Sequence, residues 1–204
     1  VSAERLFADC FATPASPLKK EAGDTPSYED SAYSYTHSNT AVIVLNSDYF
    51  YNPSLKKELK QGKEAIGGLH GYIMDEQMRW LSTEIAKYDG DKRIKHIFIT
   101  VHTPLFPNGG HSGDAMWYDG ENGYRSVSLQ NGVRTPAQKG IIERRDEIIS
   151  AALSSQKFRA FLSGDEHNYS RLVVKPQTRI HKAGYEHQKP NIGRAFVQIT
   201  NGAA

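Results

Sequence analysis

The chain has 204 residues, of which 38% are hydrophobic and 24% charged, and its formal net charge is +2. This length suits one domain that can bury a core unaided, and the single cysteine, Cys10, excludes an internal disulfide and a cysteine-rich zinc site. Mean hydropathy is −0.58, and apolar runs such as 41–45 and 97–101 are far too short to span a bilayer. The near balance of charge leaves no footprint for nucleic acid or anionic lipid, so no nucleic-acid partner and no membrane span are expected.

Residues 2–11 read as a short helix, with Ser2 as N-cap and Leu6, Phe7 and Phe11 on one side. Residues 12–30 carry Pro14, Pro17, Gly23 and Pro26 among charges and read as a long loop. Residues 33–37 alternate as a strand, Ser38-Asn39 turns, and 40–45 are apolar after Thr40, which predicts a strand covered on both faces. Residues 53–60 suggest a polar helix, its lysines a solvated face. Asp75 is expected to cap a helix to about Tyr88, with Met78, Leu81 and Ile85 inward and Gly90 just past its end. A second buried strand covers 94–101.

Residues 108–132 are rich in Gly, Asn and Asp and predict an irregular loop. Thr135-Pro136 reads as the N-cap and first-turn proline of a helix to about Leu153. A third buried strand is expected at 158–163, and weaker ones at 172–174, 178–180 and 195–200. The order helix, strand, loop, seen twice, predicts an α/β architecture, α+β by some schemes.

The chemistry falls at strand ends. The strand at 94–101 runs into His102-Thr103-Pro104, and that at 158–163 into Gly164-Asp165-Glu166-His167-Asn168-Tyr169-Ser170-Arg171. Ligands of open α/β sheets bind outside the carboxyl ends of strands. Asp165 and His167 are two apart and share a side in extended backbone. Imidazole and carboxylate are ligands of Zn, Fe and Mn. Each residue also has a structural reading: a hydrogen-bonded His102, an Asp165 bonded to its own turn, an exposed His167.

The order of these elements resembles the C-terminal half of the calcineurin-like metallophosphoesterase superfamily, purple acid phosphatase-like branch. Tyr33-Ser34-Tyr35 with Val42-Ile43-Val44-Leu45-Asn46-Ser47 is similar to that family's strand pair, and Gln77 with Trp80-Leu81 to its Q-x-x-W-L helix. His102-Thr103-Pro104 matches H-x-P, 164–171 is similar to G-H-x-H-x-Y-x-R, and 198–202 to the strand and glycine turn that come after it.

The resemblance implies part of a four-layer α-β-β-α sandwich that binds two metal ions (Fe, Mn, Zn or Mg) and hydrolyses phosphoesters by metal-hydroxide attack on phosphorus. It implies His102 and His167 as metal ligands, with Asp165 standing where the family has a histidine. Asp165 is then either a harder ligand or the mark of a weakened second site. His111 becomes the candidate to bind a phosphoryl oxygen or protonate the leaving group, against the alternative of a loop histidine with no role. Arg171 is expected to be structural, and His37, His70, His96, His181 and His187 ordinary.

The family's upstream motifs D-x-H, G-D-x-x-D and G-N-H-E do not occur before His102. Residues 1–204 are therefore expected to be a single C-terminal portion of the domain, truncated at both ends. Its partners would be a phosphorylated substrate and the upstream half of the fold. The competing reading is a non-catalytic binding or assembly domain. An extracellular or periplasmic location is the expectation by resemblance.

Overall fold

The computed structural model describes residues 3–109 and 122–202. Its elements are α1 (Ala3–Cys10), β1 (Tyr33–His37), β2 (Thr40–Leu45), α2 (Leu55–Lys60), α3 (Asp75–Gly90), β3 (His96–Val101), β4 (Val127–Gln130), β5 (Val133–Pro136), α4 (Ile141–Leu153), β6 (Phe158–Ser163), β7 (Tyr169–Val174) and β8 (Phe196–Asn201). The α/β class is evident from this order. A six-stranded sheet has the order β1-β2-β3-β6-β8-β7. Its inner four strands are parallel neighbours, and β1 and β7 are antiparallel edges.

Helices α3 and α4 pack on each other, α3 also contacts β2, and their inward residues join the buried strand residues in one core. Ile43, Ile97, Ile99, Phe161 and Phe196 are buried beside Met78, Leu81, Ile85, Ile148 and Ile149. Ser34 of β1 bonds Glu84 (2.5 Å) and Tyr88 (2.7 Å), which fixes this as the helix side. No helix among the described residues is long and apolar enough to cross a membrane.

Five expectations need correction. First, the inner strands are not covered on both faces. In β2 and β3 buried residues alternate with half-exposed ones, because the helices cover one side only. The other face carries Val42, Val44, Phe98, Leu162, Val197 and Ile199, all partly open. Second, Thr135-Pro136 does not start a helix. It ends β5, which pairs with β4 through a turn at Asn131 (φ 52°) and Gly132 (φ 76°). Asn-Gly with both φ positive is the favoured two-residue hairpin turn, and it outweighs the proline signal. Third, α4 begins at Ile141, where Asn122 Oδ1 accepts the Ile142 N–H (2.7 Å) and Glu143 bonds back to the Gly140 N–H (2.9 Å). Fourth, residues 178–180 form no strand.

Asp75 is also not the cap of α3. Its carboxylate pairs with Arg144 of α4, and the first-turn N–H groups of Glu76 and Gln77 are taken by the distant Glu21 carboxylate at 2.7 and 3.0 Å. That capping from the 12–30 loop explains why the long loop is fastened to the domain.

Candidate functional site

Parallel strands β2, β3, β6 and β8 finish at one edge of the sheet, so the segments after them meet there. Two buried glutamines hold these segments. Gln77 of α3 accepts from the Asn46 N–H (2.7 Å) and donates to the Asn46 carbonyl (2.9 Å). Gln198 of β8 treats Phe106 the same way, at 3.0 and 2.9 Å. Each amide uses both ends, which fixes its orientation and pins a loop that would otherwise leave buried backbone groups unpaired. The segments after β2 and β3 are joined where the Thr103 N–H donates to Ser47 Oγ (3.4 Å).

The segments after β3 and β6 are joined by the Gly164 N–H donating to the His102 carbonyl (3.0 Å). A Cβ at Gly202 would lie 2.2 Å from the Glu166 carbonyl oxygen, so only glycine lets β8 run beneath this turn. Asp165 takes φ +66°, a left-handed conformation that Asp and Asn tolerate better than bulkier residues. Its side chain is 10% exposed, with Oδ1 3.5 Å from His102 Nε2. His102 itself is 61% exposed.

A second histidine approaches from the other side. His70 Nε2 is 3.7 Å from Asp165 Oδ2, and His70 Nδ1 is 2.7 Å from Asp48 Oδ1. Burial pushes the Asp48 carboxyl up, but hydrogen bonds from His70, Ser47 and the Gly71 backbone outweigh it and hold the carboxyl below its ordinary value. Four side chains therefore run in a row: Asp48, His70, Asp165, His102.

Of the expected ligands, His102 and Asp165 are brought together, while His167 lies exposed in the turn after Glu166. His111 lies outside the described residues. Arg171 is exposed on the edge strand and forms no ion pair among the described residues. His70, expected to be ordinary, lies 3.7 Å from Asp165 Oδ2. His181, also expected to be ordinary, is buried against Asp146 of α4 at 2.6 Å.

Sequence reasoning also passed over Asp48 and Glu166. Asp48 stands three residues beyond β2, and attention to the carboxyl end of every parallel strand would have found it. Glu166 is fully buried, with one carboxylate oxygen accepting from the Asn108 N–H (3.1 Å). Nothing in its spacing signals this.

The donor chemistry suits a cation. Among the described residues, the buried oxygens Asp165 Oδ2, Glu166 Oε2 and Asn168 Oδ1 have no hydrogen-bond partner. Unpartnered buried oxygens are costly and call for a proton donor or an ion. As the described side chains stand, no three His, Cys, Asp or Glu are gathered tightly enough to enclose an ion.

No family profile matches the sequence, and no curated protein does. Among solved structures, the chain aligns with "Structure of PhoD" at 12% identity and a TM-score of 0.44, over 94% of this chain and 31% of that one. At that TM-score the likeness carries no argument, and function has to be read from the side chains themselves.

Proposed function

We propose that this chain is part of a metal-dependent phosphoesterase and carries one wall of its metal centre. The observation that supports this is His102 facing Oδ1 of the buried Asp165 carboxylate, whose Oδ2 has no partner among the described residues, across the ends of two adjacent parallel strands. The motif order around them, H-x-P then G-D-x-H-N-Y-x-R, agrees with the calcineurin-like, purple acid phosphatase-like reading. Bound ions would act as Lewis acids on a phosphoryl oxygen and make water a better nucleophile.

In this reading His102 and Asp165 bind metal, and His167, exposed one turn away, joins them. The interloop bond between Gly164 and His102 holds the two donors in register, and Gln198 keeps the β3 loop from swinging away. His111 would bind a phosphoryl oxygen or return a proton to the leaving group. The remaining donors come from a further segment of the same fold, for which the half-open apolar face of the sheet is the natural packing surface.

The test measures metal content and hydrolysis of p-nitrophenyl phosphate and bis-p-nitrophenyl phosphate by this chain, alone and joined to an upstream segment. The expected result is little turnover alone and metal-dependent turnover in the longer polypeptide. A longer polypeptide that retains no metal and cleaves neither ester would instead support the non-catalytic reading.

A further inference from the structure

We infer that the cavity between residues 176–184 and 189–192 is a second ligand site, which binds a small organic phosphate monoester through Arg179, Lys182 and Lys189. None of His102, Asp165 and His167 lines it, so it stands apart from the metal centre proposed under the function.

Three observations carry the assignment. The first is the lining. The cavity measures about 460 Å3, within the roughly 300–1,000 Å3 of small-molecule pockets. Arg179, Lys182 and Lys189 line it together with Ile180, Pro190 and Ile192, and no carboxylate does so among the described residues. Three cations beside apolar walls match an anion carried on an apolar body.

The second is that the positive charge is not consumed within the fold. Arg179 and Lys189 are exposed, and neither forms an ion pair among the described residues. Lys189 also borders the adjoining cavity, where three carboxylates of α4 lie, but each of these is engaged elsewhere. Glu143 accepts from the Gly140 N–H (2.9 Å), Asp146 from Arg145 (2.8 Å) and Glu147 from Arg144 (2.7 Å). Glu186 lines a different cavity. A guanidinium favours phosphate because its N–H fork matches two phosphate oxygens, and lysine adds a point charge.

The third is that the walls are built in advance. The Ile180 carbonyl accepts from the buried Arg145 of α4 (2.9 Å), and the next residue, His181, meets Asp146 at 2.6 Å. The Arg179 Nε–H donates to the His181 carbonyl (3.2 Å), which sets the guanidinium in place. Two turns shape the segment. The Thr178 N–H donates to the Lys175 carbonyl (2.9 Å), and the Tyr185 N–H to the Lys182 carbonyl (3.3 Å), with Gly184 at φ 78°. The Tyr185 ring stacks on His181 with centroids 4.4 Å apart. A preformed pocket spares binding the cost of ordering these loops.

The experiment adds phenyl phosphate to the isotope-labelled chain and follows its amide shifts by NMR, with inorganic phosphate and phenol as the two halves of the probe. Circular dichroism confirms folding of each variant. Phenyl phosphate is expected to shift the amides of Thr178, Lys182, Gly184 and Ile192, and to bind about 10-fold or more tighter than either half. Arg179→Ala and Lys189→Ala should each weaken binding by about 10-fold or more. His102→Ala at the strand ends and the exposed Lys92→Ala should leave it unchanged. If these amides do not shift at millimolar phenyl phosphate, or if both cationic variants keep full affinity, the inference is overturned. If His102→Ala abolishes binding while Arg179→Ala and Lys189→Ala retain it, the ligand sits at the strand ends, and the inference falls while the phosphoesterase reading stands. Equal affinity for inorganic phosphate would overturn the organic ligand class. Should Arg179→Ala fail to fold, Lys189→Ala alone decides.

Discussion

Two of the aspartates that face histidines, Asp146 and Asp165, differ in one respect. On α4, Asp146 has both oxygens occupied: Oδ1 accepts twice from Arg145 (3.0 and 2.8 Å), and Oδ2 meets His181 at 2.6 Å and the Tyr185 hydroxyl at 3.4 Å. Burial and the Asp146 charge push the Tyr185 hydroxyl up to about 12. At the sheet edge, Asp165 also lies between polar groups, yet its Oδ2 is buried without a partner among the described residues. The same side-chain chemistry is saturated in one place and left open in the other. Saturation is what a structural carboxylate needs, and an open buried oxygen is what a ligand site tolerates at a cost in stability.

The sharpest way to break this contrast is to remove each carboxylate. Asp146→Ala strands the fully buried Arg145 guanidinium, and denaturant unfolding should show a loss of about 3–5 kcal/mol. Gln198→Leu should cost about 2–3 kcal/mol by leaving the Phe106 N–H and carbonyl unpaired. Because it frees the loop behind His102, it should also weaken Zn2+ binding, whereas Asp146→Ala should not do so beyond its effect on folding.

Asp165→Asn should behave oppositely to Asp146→Ala. Asn keeps the positive φ and removes a buried charge with an unpartnered oxygen. Metal-free stability should be unchanged or higher by up to about 1 kcal/mol, while metal binding is lost. A metal-free loss of about 2 kcal/mol or more, the cost of stranding a buried polar partner, would make Asp165 structural after all.

The smallest effect concerns pH. Burial raises the Glu21 carboxyl above its ordinary value of 4.5, and the N–H donors of Glu76 and Gln77 and the Tyr28 hydroxyl offset this only in part. Folding therefore favours the protonated form. Its stabilising contribution is full below the ordinary value and is lost as pH rises through the folded one. Stability curves of wild type and Glu21→Gln should show the wild type's advantage shrinking as pH rises from 4.5, and an advantage growing with pH would contradict the burial argument.

Much of the fold was legible in the sequence because periodicity reports burial directly. The stripe of Met78, Leu81 and Ile85 marked α3, and the apolar runs marked β2, β3 and β6. What an apolar run does not report is whether one face or two are covered, so the half-open side of the sheet was missed. Asn131-Gly132 is a hairpin signal that the sequence reading did not single out, and Thr135-Pro136 sits in the strand it leads into.

At the site, His102 and Asp165 were readable because each comes directly after its strand within a short motif. His70 was not, because no local pattern surrounds it. It reaches Asp165 only because β2, β3 and β6 lie side by side and the 68–71 segment pairs with the chain beyond β2. That juxtaposition comes from topology, which local spacing does not encode.

The central claim is that the β3 and β6 strand ends hold a cation at Asp165. Anomalous diffraction from crystals of this chain grown with Zn2+ tests it most directly. The account predicts a zinc peak within bonding distance of Asp165 and His102. Zinc bound elsewhere, with Asp165 unliganded at saturating metal, would contradict it.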